Sequence, residues 1–407
     1  MLMLFSNNVG KQFFLKKDFI GRKIGRIFVI MKKELGNTNK IVLVTWKGRG
    51  NYGSCLQAFA LSKKIESLGY QVHFLSAGLH QFGIKSYIKQ LLYSLGILKL
   101  LYIVRTLSMS IKRRKVTKFQ DKTINEIELF SERQLRKIVS QTDCFVTGSD
   151  QIWNTYYSYY PFNFLSFAGN VKRVAYASSI GTNSIKEEYA DEVKDLLLKF
   201  SHIGVREKEA VQVLTNLTKR KDIRSVLDPT FLLTPDEWNK VAEKAIYEEI
   251  LPNNYILCYF VGNDLTYNNN MEDVMEVLNI DQLVVIPYTG GPISCSRKTY
   301  EYRNAGPAEF VDLIKRAKYV CTDSFHATAL SINLSVPFVE FMRFKDNDPK
   351  SQNSRIYDIL NHYGLMNCIY KPNSKEWQKP IDYGKVQEIL QIDRKDSEDF
   401  LINSIEN

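Results

Sequence analysis

Residues 318–331 of the 407-residue chain read KYVCTDSFHATALS. The apolar run at 319–321 is typical of a short buried strand, and the TDS that follows contains turn and helix-capping residue types. The apolar stretch 325–334 is typical of a buried helix that ends before a proline. The segment therefore predicts a strand, a turn and a helix, with His326 in the first turn of the helix.

A histidine at a helix start combines two useful chemical properties. The first turn of a helix has unpaired N–H groups and partial positive charge, which suit a phosphate or a carboxylate. An imidazole can also transfer a proton near neutral pH. His326 is therefore a candidate for anion binding and proton transfer, and a packing histidine at a helix start is the alternative.

The C-terminal half of the chain repeats this alternation of strand and helix. The predicted strands are 255–261, 283–287, 319–321 and 337–341, and the predicted helices between them are 271–278, 307–317 and 325–334. Such a βαβ series predicts a parallel sheet covered by helices. The fold class is therefore α/β, with a C-terminal Rossmann-like domain at 235–380 and a helical tail at 381–407.

A second βαβ series begins at residue 40. The apolar strand at 41–44 is followed by a glycine-containing turn, a helix at 56–68 and another strand at 70–75. The turn is not G-x-G-x-x-G, and no acidic residue follows the second strand, so dinucleotide binding is not supported. Glycines there allow a close approach of backbone to a ligand, and Asn51 offers amide hydrogen bonds, although a purely conformational turn explains the pattern too.

Polar side chains follow a later strand of the N-terminal half. Residues 143–154 read DCFVTGSDQIWN, in which a buried strand runs into a Gly-Ser-Asp-Gln turn. Open α/β sheets bind ligands at the carboxyl ends of their strands. Asp150, Gln151 and Asn154 are therefore candidates for binding the hydroxyls of a sugar-like acceptor.

An arginine also follows a predicted strand. Arg206 comes directly after the apolar run at 203–205, where a helix is predicted to begin. A guanidinium at such a position can bind phosphate or carboxylate through two N–H groups. A surface ion pair with Glu207 or Glu209 is the alternative.

Composition and charge limit the classes of function. The chain has a net charge of +11, 44% hydrophobic and 24% charged residues, which describes a soluble globular protein with a bias towards anionic partners. No nucleic-acid-binding motif is present, so we expect no nucleic acid partner. The six cysteines are dispersed without a C-x-x-C pair and no apolar run is long enough to span a membrane, so a reduced, cytoplasmic compartment is predicted.

One region interrupts the Rossmann-like pattern of the N-terminal half. Residues 84–107 are rich in Leu, Ile and Tyr, and the basic run KRRK follows at 112–115. This composition is compatible with amphipathic helices on an anionic membrane surface, and equally with helices packed on the domain. We assign a helical insertion at about 84–118 within an N-terminal domain of 40–234, and leave 1–39 unassigned as an N-terminal extension.

Six ordered motifs together resemble the polysaccharide pyruvyl transferase family. They are NYGSCLQAFAL at 51–61, DCFVTGSDQIWN at 143–154, VAYASSIG at 174–181, GVREKE at 204–209, VLDPT at 226–230 and TDSFHAT at 322–328. Their co-occurrence is specific, although each motif by itself is weak. The resemblance implies two Rossmann-like domains in a GT-B-like arrangement. It also implies a transferase that moves the enolpyruvyl group of phosphoenolpyruvate onto two hydroxyls of a glycan sugar.

The resemblance implies roles for particular residues. His326 matches the family's histidine as the catalytic residue, and Asp323 is predicted to orient it, to act as a base or to cap the helix. The predicted donor-binding residues, on the C-terminal side except for the arginine, are Arg206, Ser324, Phe325 and His326. The predicted acceptor-binding residues of the N-terminal domain are Asn51, Tyr52, Gly53, Ser149, Asp150, Gln151 and Asn154. Some relatives have an arginine where this chain has Ser324, so one expected cation is absent from the motif.

The chemistry of ketal formation fits these residue types. It requires a proton donor, cations for phosphate and carboxylate, and polar groups for the sugar. We expect no metal and no cofactor, with phosphoenolpyruvate as co-substrate and a glycan or lipid-linked sugar as acceptor, the latter met by peripheral contact at the inner membrane face. Two other hypotheses stay open: a GT-B-type glycosyltransferase with a nucleotide-sugar donor, and a non-catalytic partner in glycan assembly.

Overall fold

The computed structural model describes residues 40–48, 50–76, 78, 82, 109–262, 266–288, 298–346, 348 and 351–407. The predictions for 1–39 and for the apolar stretch 84–107 lie outside these residues. In the described part of the chain, strands and helices alternate to form two parallel sheets, each with helices packed on it.

The N-terminal sheet has the strand order β2-β1-β3-β4-β5-β6, and all neighbouring strands are parallel. Its strands are β1 (Lys40–Thr45), β2 (Gln71–Ser76), β3 (Cys144–Thr147), β4 (Lys172–Ser178), β5 (His202–Val205) and β6 (Arg224–Ser225). Their apolar residues are nearly all buried, as expected for a parallel sheet that is covered on both faces.

Helices connect these strands. They are α1 (Tyr52–Ser67), α2 (Ile111–Thr123), α3 (Glu132–Ser140), α4 (Ala190–Leu197) and α5 (Lys208–Thr218), and α6 (Pro235–Ala242) leads into the second half. The start of α6 is set by a capping box, in which Thr234 and Glu237 bond to each other's backbone N–H groups.

The C-terminal sheet has the order β11-β10-β7-β8-β9 and is also parallel throughout. Its strands are β7 (Ile256–Tyr259), β8 (Gln282–Val285), β9 (Lys298–Glu301), β10 (Tyr319–Thr322) and β11 (Phe338–Glu340). Its helices are α7 (Thr266–Leu278), α8 (Pro307–Arg316), α9 (Phe325–Asn333) and α10 (Ser354–His362). The predicted α/β class with two Rossmann-like halves is therefore confirmed, and the exact domain limits stay a prediction.

Each sheet has one point at which the chain reverses its direction of winding. In the N-terminal sheet this point lies between β1 and β3, and in the C-terminal sheet between β7 and β10. At such a point the loops diverge to opposite faces and leave a crevice at the carboxyl ends of the strands, where open α/β sheets bind ligands. The segments 46–51, 148–154, 260–262 and 323–326 follow these four strands.

Helix α2 changes the interpretation of the basic run at 112–115. Lys115 forms ion pairs of 2.8 Å with Glu248 and 2.9 Å with Glu309, both beyond the N-terminal sheet in sequence. The Lys112 ammonium lies 4.8 Å from the centroid of the Tyr52 ring. Two of the four basic side chains therefore contact the rest of the protein, as the alternative of helices packed on the domain predicts, and contact with an anionic surface stays a prediction.

A long C-terminal helix, α11 (Tyr383–Glu406), connects the two halves. Its first half packs near α9, where Gln387 donates to the carbonyl of Ile332 at 3.0 Å. Its second half packs on the N-terminal sheet, where the Phe400 ring contacts the backbone of Gly204 closely. The helix occupies the range predicted as a helical tail. No helix among the described residues is long and apolar enough to cross a membrane.

Candidate active site

Two helix starts meet at the centre of the molecule. Helix α1 begins after Asn51, whose side-chain oxygen accepts a hydrogen bond from the Ser54 backbone N–H at 3.2 Å. Helix α9 begins after Ser324, whose side chain makes no capping bond. Gly53 in the first turn of α1 lies so close to His326 that a methyl group at Gly53 would lie 2.2 Å from its Nδ1. The N-terminal and C-terminal sheets thus present their ligand-binding edges to each other at His326.

A buried carboxylate from the N-terminal half lies beside this histidine. Asp228 Oδ2 is 3.7 Å from His326 Nε2 and accepts hydrogen bonds from Arg206 Nη1 at 3.1 Å and from the Ser149 hydroxyl at 3.2 Å. Its other oxygen accepts from the backbone N–H of Thr230 at 3.0 Å and from its hydroxyl at 2.8 Å. Five groups around one carboxylate hold Asp228 in a single orientation towards His326.

Arg206, at the end of β5, is buried and only partly paired. Its Nε donates to Glu207 at 3.1 Å and its Nη1 to Asp228 at 3.1 Å. Its Nη2 is buried and has no hydrogen-bond partner within the described ranges. Burial lowers the pKa of Arg206, but the negative charges of Glu207, Asp228 and Asp150 outweigh this and raise it. Arg206 therefore stays cationic and keeps one N–H group available to a ligand.

His326 is also buried with an unpaired ring atom. Its Nε2 has no hydrogen-bond partner in the part of the chain described. Burial lowers the pKa of His326 below its usual value, partly opposed by the negative charges of Asp228 and Asp150. The imidazole is therefore neutral at neutral pH in the unliganded protein, and an anion bound beside it would raise its pKa.

The carboxylate of Asp150 completes the charged group around His326. It accepts hydrogen bonds from the Ser54 hydroxyl at 2.5 Å and from the Gln151 backbone N–H at 2.9 Å. Burial raises the pKa of Asp150, but the nearby charges of His326 and Arg206 outweigh this and hold it below its ordinary value. Asp150 thus remains ionised beside His326.

Other side chains of the predicted acceptor loop hold the loop together. The Ser149 hydroxyl donates to the carbonyl of Ala177 at 3.0 Å and to Asp228. Asn154 donates to the Gln151 side chain at 2.8 Å and accepts from two backbone N–H groups of the following turn. Ser149 and Asn154 are buried. Both side chains therefore hold the loop in place, and their contact with the acceptor stays a prediction.

Gln151 makes a contact across the crevice. Its side chain donates to Gln352 at 2.7 Å, and Gln352 belongs to the C-terminal half. The same oxygen of Gln352 accepts from Arg355 Nη2 at 2.7 Å. The predicted acceptor residue Gln151 is thus connected to an arginine at the start of α10.

The structure also corrects the acceptor role predicted for Tyr52. Its ring is fully buried and stacks on Phe310 with a centroid distance of 4.5 Å. Its hydroxyl donates to the carbonyl of Ala305 at 2.8 Å. Tyr52 therefore anchors the start of α1 in the core of the C-terminal half.

Asp323 has a different role from the one predicted. Its carboxylate accepts hydrogen bonds from the backbone N–H groups of Val261 at 2.6 Å and Gly262 at 2.7 Å. It also accepts from the Tyr267 hydroxyl at 3.0 Å and pairs with Arg343 at 3.2 Å. Asp323 therefore joins the end of β10 to the end of β7, and the carboxylate beside His326 is Asp228.

Phe325 lies against two buried arginines. The guanidinium carbon of Arg206 is 4.5 Å from the centroid of the Phe325 ring, and that of Arg355 is 5.8 Å away. A cavity of about 230 Å³ is lined by these three residues and by Asp228, among others. The predicted donor residues Arg206 and Phe325 thus share one cavity with an arginine that the prediction omits.

The carboxyl group of Glu340 differs from those of Asp150 and Asp228 in its protonation. Glu340, at the end of β11, is fully buried and accepts a hydrogen bond from the Thr328 hydroxyl. Burial raises the pKa of Glu340 to about 8. Glu340 is therefore mainly protonated at neutral pH, whereas Asp150 and Asp228 are ionised.

The sequence prediction omits Asp228, Arg355 and Glu340 from the site. The sequence does indicate Asp228, because it belongs to the family-like motif VLDPT at 226–230. An Asp followed by Pro-Thr at a strand end is also typical of a fixed turn. The sequence does not indicate Arg355 or Glu340, since a single arginine at a helix start and a glutamate ending an apolar strand are common. No group of three or more His, Cys, Asp or Glu side chains suited to a metal ion occurs among the described residues.

Comparison with known proteins agrees with the motif set. The family model described as "Polysaccharide pyruvyl transferase" matches residues 51–342, which is most of the chain. The chain belongs to the polysaccharide pyruvyl transferase family, a family of transferases. The matched segment contains His326, Arg206 and Asp228, and it ends before Arg355. No curated protein matches the chain.

Solved structures similar to this one include two sugar-nucleotide epimerases. A putative UDP-N-acetylglucosamine 2-epimerase from Listeria monocytogenes is 11% identical with a TM-score of 0.49, covering 90% of this chain and 91% of that chain. The Neisseria meningitidis UDP-GlcNAc 2-epimerase, bound to UDP-GlcNAc, is 9% identical with a TM-score of 0.48, covering 90% and 99%. At these scores the fold assignment depends on the two parallel sheets themselves.

Proposed function

We propose that this protein transfers the enolpyruvyl group of phosphoenolpyruvate onto two hydroxyls of a glycan sugar, forming a pyruvate ketal and releasing phosphate. The family supports a transferase of this kind. The observation that carries the proposal is the group of side chains at the start of α9. There His326 and Arg206 each have a buried nitrogen without a hydrogen-bond partner among the described residues, and Asp228 lies beside both. A proton donor and a cation for an anionic substrate are thereby available at one place.

The reaction needs one proton transfer to carbon. His326 in its protonated form gives a proton to the methylene carbon of the donor, and the central carbon becomes cationic. A sugar hydroxyl attacks that carbon as Asp150 takes its proton. A second hydroxyl then displaces phosphate to close the ketal, and its proton leaves with the phosphate. The proton held by Asp150 returns to His326 and restores the proton donor. Arg206 stabilises the phosphate and the carboxylate, which carry the negative charge throughout.

The electrostatics of the site suit a proton donor that is charged only when substrate is bound. Because burial lowers the pKa of His326, the free protein holds it neutral. The phosphate and carboxylate of the donor bring negative charge next to the imidazole and raise its pKa. His326 thus takes up its proton as the donor binds, so the proton donor is present only when substrate is bound.

The acceptor side is formed by Asp150 and Ser54. Their 2.5 Å hydrogen bond places a carboxylate and a hydroxyl together near His326. An ionised carboxylate can accept a hydrogen bond from a sugar hydroxyl and remove its proton as it attacks. The acceptor is a glycan or lipid-linked sugar of cell-surface polysaccharide synthesis, met in the cytoplasm at the inner membrane face.

The direct test is to incubate the protein with phosphoenolpyruvate and candidate lipid-linked or nucleotide sugars and to measure phosphate release. We expect acceptor-dependent release with the native protein. His326→Gln keeps the shape of the side chain but cannot transfer the proton, so turnover should fall by about two to four orders of magnitude.

His202→Gln is the matched control, because His202 lies at the N-terminal end of β5, the end opposite to Arg206. Its turnover should stay within about twofold of the native value. Turnover of His326→Gln within threefold of the native protein would exclude His326 as the general acid. Thermal stabilisation by a nucleoside diphosphate, without any by phosphoenolpyruvate, would contradict the proposed donor and favour a glycosyltransferase.

A further inference from the structure

We infer that Arg355, at the start of α10, is the second cation of the donor-binding site and binds phosphoenolpyruvate together with Arg206. The inference rests on the proposed function, because that donor carries two anionic groups. The motif at 322–328, TDSFHAT, contributes no cation of its own besides the histidine. A donor with a phosphate and a carboxylate is therefore served by a cation from elsewhere in the fold.

The first support is the position of the two guanidiniums. Arg206 and Arg355 lie 4.5 and 5.8 Å from the centroid of the same Phe325 ring. Each is only 8% exposed. Two buried cations that share one aromatic neighbour repel each other unless negative charge lies between or beside them.

The second support is that Arg355 has no carboxylate partner among the residues that the structure describes. Within the described residues it bonds to the Gln352 side chain at 2.7 Å and to the Gln352 carbonyl at 3.3 Å, and it forms no ion pair. Burial and the positive charge of Arg206 lower the pKa of Arg355 to about 9. A buried cation without a counter-ion is destabilising, and an anionic ligand would remove that cost.

The third support is the cavity that both arginines line. Three of its acidic side chains have partners of their own: Glu207 pairs with Arg206 at 3.1 Å, Asp393 with His362 at 2.6 Å, and Asp358 accepts from the Lys208 backbone N–H at 3.2 Å. The unpaired Nη2 of Arg206 thus remains for a ligand.

The size of the cavity favours a small donor. Its volume of about 230 Å³ is below the roughly 300–1,000 Å³ typical of pockets for drug-sized ligands. A small phosphorylated acid fits this volume better than a nucleotide sugar does.

The test measures the dissociation constant of phosphoenolpyruvate by calorimetry for the native protein and for Arg355→Gln and Arg355→Lys. We expect Arg355→Gln to weaken binding at least tenfold, because it removes a charge-assisted pair of hydrogen bonds. Arg355→Lys keeps the charge but loses the two-pronged geometry, so a smaller weakening of about threefold or more is expected. Inorganic phosphate serves as a second probe. If the Arg355 variants lose affinity for phosphoenolpyruvate but not for inorganic phosphate, Arg355 binds the carboxylate of the donor.

Arg394→Gln is the matched control. Arg394 is similarly buried, at 9% exposure, but bonds to the Phe231 carbonyl at 2.7 Å and to Asn333 at 3.1 Å. The Arg394→Gln variant should have a lower free energy of unfolding, and its affinity for phosphoenolpyruvate should stay within twofold of the native value. Folded Arg355 variants that bind phosphoenolpyruvate as tightly as the native protein would overturn the inference and leave the proposed function intact. Absence of binding by the native protein would instead refute the proposed donor, and the role of Arg355 with it.

Discussion

At the scale of single residues, Asp228 has the most demanding environment. Its side chain is fully buried, and a buried carboxylate is tolerated only when other groups compensate its charge. Arg206, Ser149 and Thr230 provide that compensation through four hydrogen bonds, and His326 Nε2 lies 3.7 Å away. Because its charge raises the pKa of His326, Asp228 affects the proton affinity of the imidazole as well as its position.

Asp228→Asn should therefore change the pH dependence of the reaction. The substitution removes the negative charge that opposes burial, so the pKa of His326 falls further. Activity that needs protonated His326 decreases as pH rises through that pKa, and in the variant this decrease should move to lower pH. We expect kcat/KM at pH 7 to fall by about tenfold or more. The pH profile of kcat/KM between pH 5 and 9 measures this change.

Asp393→Asn is the control for this prediction. Asp393 lines the same cavity but pairs with His362 at 2.6 Å. Its pH profile should match that of the native protein. If Asp228→Asn lowers activity equally at every pH, Asp228 acts only through structure and does not tune His326.

At the scale of elements, the contact between α1 and α9 positions His326. Gly53 is in the first turn of α1, where an alanine would usually favour the helix by up to about 1 kcal/mol. Here a methyl group would lie 2.2 Å from His326 Nδ1 and 2.5 Å from its Cγ. Since both helices are packed in the core, neither can move without disturbing the other.

Gly53→Ala should therefore lower activity although it suits a helix. We expect His326 to be displaced and kcat to fall by at least about tenfold, since small misplacements of catalytic groups are costly. The loss should appear in kcat, measured with saturating donor and acceptor.

The matched control is Gly384→Ala in the first turn of α11. A methyl group there would meet only the Asp382 carboxylate at 3.3 Å. This variant should have native activity and unchanged or slightly higher stability. Equal activity of both variants would show that the Gly53 contact does not restrain His326.

At the scale of the whole molecule, α11 holds the two halves together. Phe400 packs in the core formed on the N-terminal sheet, where it contacts Gly204 and Tyr176. The Leu227 backbone N–H donates to Ser397 at 3.0 Å, and Lys64 pairs with Glu398 at 2.6 Å. The earlier turns of the same helix pack on the C-terminal half.

Phe400→Ala should destabilise the protein strongly. Removing a buried aromatic ring leaves a cavity and costs about 3–5 kcal/mol in the free energy of unfolding. Urea unfolding followed by circular dichroism and tryptophan fluorescence measures the loss and shows whether the halves separate.

Ile392→Ala in the same helix is its control. Ile392 is 63% exposed, so the change should alter the free energy of unfolding by less than about 0.5 kcal/mol. Equal midpoints for Phe400→Ala and Ile392→Ala would contradict the role assigned to α11.

The sequence by itself determined the α/β class, the two parallel sheets and the family. These features depend on local patterns: apolar runs of strand length, helical spacing and turn residues at strand ends recur along the chain. The same patterns placed His326 and Arg206 at strand-to-helix turns, where the structure has them. Local pattern was sufficient because parallel sheets bring the carboxyl ends of their strands to one edge.

The tertiary structure decided which side chains meet at that edge. Asp228 and Arg355 reach His326 and Arg206 from distant parts of the chain, and no local pattern encodes such a contact. Tyr52, predicted to face the acceptor, instead packs in the core. Burial and pairing depend on the neighbours that folding supplies, so the charge states of this site follow from the packed structure rather than from the order of residues.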